Sequence, residues 1–192
     1  MRSDNQALKK QSITLLSDYT PFEQADEQFQ REFLLQLQDA STDLFDRNNF
    51  TPGHITASAL IVDSTGEHIL LQRHKKLNKW IQPGGHFSSP DKNICETAIR
   101  EALEETGLKS LLLISELPFL VSIFDFPQKG TDPAHKHFDL CFLFAANRNE
   151  QLVCNAESYE LKWISLKEFD SIKPDAQLDR MMRRWLQEKA AM

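Results

Sequence analysis

Two hydrophobic periods divide this chain near residue 50. Before that point Phe22, Ala25, Phe29, Phe33 and Leu37 recur at helical spacing and form one apolar stripe. Thr20-Pro21-Phe22-Glu23, just ahead of it, has the form of a capping box with proline in the first turn. Residues 1–50 are therefore predicted to be a helical extension, opening on the polar run Met1 to Gln6. Its stripe must pack on something: the chain's own core, or else a homodimer contact or a lid. Asn48 to Gly53 is a turn-rich boundary.

Beyond it the period falls to two. Ile55, Ala57, Ala59 and Ile61 alternate with Thr56, Ser58, Leu60 and Val62, as in a mostly buried strand. Asp63 to Gly66 reads as a turn and Ile69-Leu70-Leu71 as a second strand, which together predict a hairpin. Trp80-Ile81-Gln82 is a short segment ending at Pro83, and Gly84-Gly85-His86 reads as a loop. A helix is predicted over residues 92–106, stopped by Gly107, with Cys95, Ala98, Ile99, Ala102 and Leu103 on its apolar face. Further strands are expected over 111–116, 119–126, 137–146 and 161–164. Leu178, Met181, Met182, Trp185 and Leu186 mark a closing amphipathic helix. Strands with interspersed helices predict an α/β layered domain over residues 51–192.

Composition narrows the partners. A net charge of −6, with no basic tract beyond Arg73 to Lys76, argues against a general nucleic-acid binder. A small phosphorylated substrate stays compatible if cations screen it. No apolar stretch is long enough for a signal or a membrane span. Cys95, Cys141 and Cys154 are odd in number and lack metal-site spacing, so they read as buried free thiols in a reducing compartment, with the cytoplasm as the expected location.

The chemistry concentrates on the helix that follows the two glycines. Glu101, Glu104 and Glu105 fall at i, i+3 and i+4 and leave one face together. Three close carboxylates repel one another, which a divalent cation relieves. Mg²⁺ or Mn²⁺ suits an all-oxygen set. Gly85 can add a backbone carbonyl, because without a side chain the chain can approach an ion closely. Arg100 stands at i+4 from Glu104 and can orient it. His135, His137 and Asp139 share one strand face opposite Phe138, Leu140, Phe142 and Phe144. With His86 that polar face could bind phosphate or an additional metal; the plainer reading is a pair of exposed histidines at a strand entrance. Phe124 and Phe126 could stack on a base or simply pack in the core. Arg73 could contact a phosphate, with Lys75 and Lys76 more loosely placed.

Arg100-Glu101-Ala102-Leu103-Glu104-Glu105-Thr106-Gly107-Leu108, with Trp80, Pro83, Gly84 and Gly85 upstream, resembles the signature of the Nudix hydrolases. That signature runs Gly, five residues, Glu, seven residues, then Arg-Glu-apolar-x-Glu-Glu-x-Gly-apolar. One position departs from it: Asp91 stands where the first Glu is expected, and eight rather than seven residues separate it from Arg100. The resemblance implies an α/β/α sandwich with a central mixed sheet. It also implies metal-dependent hydrolysis of a nucleoside diphosphate linked to another moiety. Carried onto this chain, it assigns the metal to Gly85, Glu101, Glu104 and Glu105, and the loop structure to Gly84, Asp91 and Gly107. Asp91 is expected to hold the loop onto the helix by pairing with Arg100. The general base is Glu105 or, from a later loop, Glu157. Two other readings of the same fold are a non-catalytic nucleotide-sensing or protein-interaction module and a prenyl diphosphate isomerase. Nucleoside triphosphates, nucleotide sugars, ADP-ribose and capped RNA all remain open as substrates.

Overall fold

The computed structural model describes residues 3–128 and 130–191; Met1 and Arg2 of the polar N-terminal run lie outside them. Its centre is β1 (Gly53–Asp63), buried along its whole length. One edge of β1 pairs in parallel with β7 (His135–Ala146), in continuous register from Gly53 to Asp63. The other edge is shared by two antiparallel partners. β2 (His68–His74) meets it at Ile61 and Val62, and β4 (Gly84–His86) meets it from Thr56 to Ser58. β7 carries β6 (Leu120–Phe126) and the short β5 (Leu112–Leu113) on its far side. β2 also pairs with β3 (Lys79–Ile81) and β8 (Ser158–Ser165), completing an eight-stranded mixed sheet.

The period of two assigns each strand face to a layer. Ile55, Ala57, Ala59 and Ile61 join Phe138, Leu140, Phe142 and Phe144 in a core shared with α3 (Ile94–Thr106) and α2 (Gln24–Gln38). Leu16 and Tyr19, at the end of α1 (Ser3–Asp18) and just past it, reach the same core. The opposite face changes character halfway along. Leu60, Val62, Cys141 and Leu143 are covered by Leu178, Met181, Met182 and Trp185 of α4 (Ala176–Ala191) and by Phe169 of a 3-10 helix (Leu166–Ile172). On that same face the earlier positions of β1 are His54, Thr56 and Ser58, so the sheet there is polar but still buried. An α/β/α sandwich with a central mixed sheet results. None of the described helices is long and apolar enough to cross a membrane.

The aromatic stripe of α2 docks on the chain's own core: the Phe33 and Phe138 ring centres lie 5.2 Å apart. The capping box expected at Thr20–Glu23 does not form. Glu23 is the N-cap but makes no side-chain cap bond. Buried Asp26 fixes the entry instead, accepting from the Phe22 N–H (2.9 Å) and the Tyr19 hydroxyl (2.8 Å) and pairing with Arg180 of α4 (3.0 Å). A carboxylate with a cation in reach outcompetes a hydroxyl cap. Residues 39–52 are turns rather than helix.

Other boundaries shift for local reasons. Asn93, whose side chain accepts from the Glu96 N–H at 2.9 Å, caps α3, so the helix starts at Ile94 rather than near residue 92. Gly107 closes it at φ 71°, a left-handed position, where a Cβ would also lie 2.6 Å from that of Val153. Cys154 is exposed, contrary to the expectation of three buried thiols; all three are free.

Candidate active site

Gly84-Gly85-His86 is a strand, not a loop, and it lies directly under α3. A Cβ on Gly85 would stand 2.5 Å from Cδ of Glu101, and one on Gly84 would stand 2.6 Å from the Ala57 carbonyl oxygen. Both positions exclude any side chain, which is what lets helix carboxylates press onto backbone. Glu105, only 4% exposed, accepts from the Gly84 N–H (2.8 Å) and the Gln72 side-chain amide (2.5 Å) at one oxygen, Oε2. Gln72 is itself held by the Ser158 hydroxyl. Burial pushes the Glu105 carboxyl up to about 8; the Gly84 bond opposes this and the charge of Glu101 adds to it. Burial also raises Glu101, against the bond and charge of Arg100 and with the repulsion of Glu104. Glu104 is 59% exposed at the side chain.

Arg100 clamps strand to helix. Its Nε and Nη2 donate to the two oxygens of Asp91 (3.0 and 2.9 Å), its Nη2 to the His86 carbonyl (3.0 Å) and its Nη1 to Glu101 (2.8 Å). The contact to Glu104 is long, 3.4 Å. Burial alone would raise Asp91, but Arg100, Thr97 and the Ser88 N–H outweigh it and hold the carboxyl below its usual range. The extra residue ahead of Arg100 is thus accommodated in a turn that still delivers Asp91 to the guanidinium.

These carboxylates fit a divalent cation. They are oxygen donors only, Glu105 is buried and Glu101 partly so, and each of those two is destabilised by a neighbour's charge. Among the described residues, the three ligand atoms gathered within 4.8 Å of one another belong instead to His54, His135 and His137.

The remaining predicted residues divide. Glu157 is half exposed, its carboxylate 3.9 Å from His74 Nε2 and 4.0 Å from Lys76 Nζ, near enough for its charge to raise Glu105. Arg73 is exposed and directed elsewhere, to the Asn78 side chain (3.3 Å) and over the Tyr159 ring (6.0 Å). Asp139 does not line an open cleft. It is buried, and its oxygens accept from Thr56 (2.8 Å) and Ser58 (2.6 Å), with burial raising its carboxyl. His135 and His137 are buried as well, not exposed at a strand entrance. Phe126 stacks on His137 (4.7 Å, 10°), and Phe124 meets the same ring edge-on at 5.3 Å. His86 leans on the group, 4.9 Å from His54 and 5.2 Å from His137 between ring centres. Burial lowers His86 to about 4 and depresses His137 and His54 too, so these rings are neutral.

The sequence reading missed His54 and Gln72. His54 shares the parity of Thr56 and Ser58 in β1, a signal that was present; Gln72 carried no signal apart from being a polar residue ending an apolar strand. A cavity of about 170 Å³ lined by Ile114, Leu117, Phe119 and Arg184 holds none of the predicted residues.

A curled mixed sheet between helical layers, with an acidic helix clamped over a glycine strand, defines an α/β/α domain arranged to present carboxylates beside exposed backbone. The family model of the NUDIX domain matches residues 52–186, and the chain belongs to the Nudix hydrolase family. A Xenopus laevis protein, nucleoside diphosphate-linked moiety X motif 6, is 32% identical over 126 residues, covering 61% of this chain and 54% of its own. An asymmetrical bis(5'-nucleosyl)-tetraphosphatase of Rattus norvegicus is 42% identical over 52 residues, 27% of this chain and 35% of that protein. The chain spans at most 54% of the length of these curated relatives. The crystal structure of a C. elegans Ap4A hydrolase binary complex shares the fold with a TM-score of 0.55 at 20% identity, covering 72% of this chain and 98% of that one.

Proposed function

We propose that this chain is a divalent-metal-dependent pyrophosphohydrolase acting on a nucleoside diphosphate linked to another moiety. The observation that carries the reading is the packing of Glu101 and buried Glu105 against two glycines that exclude side chains. The relatives named for nucleoside-diphosphate-linked moieties and for tetraphosphatase activity support a small nucleotide substrate.

Glu101, Glu104, Glu105 and the Gly85 carbonyl would hold the cation, Mg²⁺ or Mn²⁺. When bound, the ion neutralises phosphate oxygens and acidifies a water. Arg100 sets the spacing between β4 and α3 through Asp91 and the His86 carbonyl. In the reaction a water oxygen bonds to phosphorus, a bridging P–O bond breaks, and the leaving phosphate takes the electron pair. The water proton passes to a carboxylate: Glu105, ionised once the cation is held, is the first choice, because two donors on Oε2 fix the group and leave Oε1 to take the proton, and half-exposed Glu157 is the second. Residues 51–192 form the catalytic domain, and residues 1–50, whose described part is α1, α2 and the turns after them, are its N-terminal extension. Three free cysteines fit a reducing compartment, and we place the enzyme in the cytoplasm.

The test is a panel of nucleoside triphosphates, nucleotide sugars, ADP-ribose, capped RNA and diadenosine tetraphosphate with Mg²⁺ and Mn²⁺, run beside Glu104→Gln and Glu105→Gln. Metal-dependent release of phosphate or mononucleotide is expected, with turnover largely lost in both variants while circular dichroism is unchanged. Rates unchanged from the parent in both variants would refute the assignment, and ligand binding without hydrolysis across the panel would favour a sensing module.

A further inference from the structure

The polar half of the sheet face holds a second centre that the carboxylate chemistry does not use. His54 Nδ1 lies 3.1 Å from the Asn49 carbonyl oxygen, and His135 Nδ1 lies 2.8 Å from that of Pro133. A carbonyl only accepts, so both rings donate from Nδ1, which leaves Nε2 as the atom that can accept or ligate. Such a backbone bond is how a metal-ligating histidine is commonly fixed in tautomer and orientation. The Nε2 of His54 is buried, in a residue 2% exposed, and has no hydrogen-bond partner. An orphaned acceptor in that setting calls for an occupant. The Nε2 of His135 lies 3.0 Å from the Nε2 of His137. Two nitrogens bound to one tetrahedral ion at about 2.0–2.1 Å stand roughly 3.3–3.4 Å apart, so the pair is already near that spacing. The ligand nitrogens of all three residues fall within 4.8 Å, a gap that small ring rotations close.

We propose that His54, His135 and His137 bind a transition-metal ion of the zinc class, at a site separate from the helix carboxylates. Three imidazoles without thiolate or carboxylate suit Zn²⁺ and its neighbours, not Mg²⁺. Seating the ion moves the His137 proton from Nε2 to Nδ1. Phe126 stacked on His137 and Phe50, 5.0 Å edge-on to His135, keep the nitrogens out of water. His86 is the adjacent ring that can complete a fourth ligand. Its own carbonyl is gripped by Arg100, so the two centres share a strand.

The test uses the full chain, stripped by chelator and returned to excess Mg²⁺. Titration with Co²⁺ should give one equivalent with visible d–d absorption. That signal should persist in the Glu101→Gln/Glu104→Gln double variant, and weaken in His54→Gln and His135→Gln by more than the roughly 100-fold that outer-shell changes cause. Zinc-edge X-ray absorption of the unaltered protein supplies a readout that needs no variant: imidazole scattering at about 2.0–2.1 Å is expected. An oxygen-only shell, no binding, binding abolished by the glutamate changes, or binding that survives both histidine changes would each overturn the proposal.

Discussion

Glu105→Gln should make the metal-free protein more stable at alkaline pH while disabling it. Glu105 is buried and its carboxyl sits at about 8 in the folded chain, against 4.5 in the open one. Below pH 4.5 both states hold the proton and the residue is neutral in the balance. Between 4.5 and 8 the unfolded chain releases the proton and the folded chain keeps it, so stability falls as pH rises and levels off above 8. At about 1.36 kcal/mol per pKa unit, the full loss is roughly 5 kcal/mol. A glutamine keeps an oxygen for the Gly84 N–H and the Gln72 amide but never ionises. Urea unfolding in chelator at pH 5 and pH 8.5 checks this. The variant should lie within about 1 kcal/mol of the parent at pH 5 and exceed it by several kcal/mol at pH 8.5. Saturating Mg²⁺ should then raise the parent's midpoint and leave that of the variant nearly unmoved. A variant with the parent's pH slope, or one less stable at pH 8.5, would show that the carboxyl is not held protonated by its surroundings.

Two further outcomes follow from packing. Gly85→Ala places a Cβ 2.5 Å from Cδ of Glu101 and must displace that carboxylate; misplacement of about 1 Å costs on the order of 100-fold in rate. A steady-state assay returning near-normal kcat/KM would contradict this account of the glycine. Phe33→Ala removes a fully buried ring from the interface with Phe138 and should lower unfolding free energy by roughly 3–5 kcal/mol in urea denaturation. A change below about 1 kcal/mol would mean that the N-terminal helices do not share the main core.

The parts of the fold that obey one period were open to reading from sequence. The alternation in β1 and the carboxylate spacing of α3 needed only local geometry. What escaped depended on partners distant in the chain. Asp26 displaced a plausible hydroxyl cap because Arg180, far along the sequence, comes beside it. Gly84 to His86 looked like a loop because nothing local says that β1 lies alongside. The histidines looked exposed at a strand entrance, and Asp139 looked placed on a ligand-binding face, because strand parity reports which face a residue takes, not what covers that face. Gln72 matters only through Glu105 and Ser158, neither near it in sequence.

The parallel pairing of β1 with β7 also bears on how the chain is made. Thr56 and Asp139, joined across that pair, are 83 positions apart. At synthesis rates of roughly 5–20 residues per second, β1 emerges some 4–17 s before the segment that shields it. For that interval an eleven-residue strand, apolar along most of its length, has no permanent neighbour on one edge. The nascent polypeptide therefore carries an edge open to self-association until β7 has been added, and a holding chaperone would find its target there.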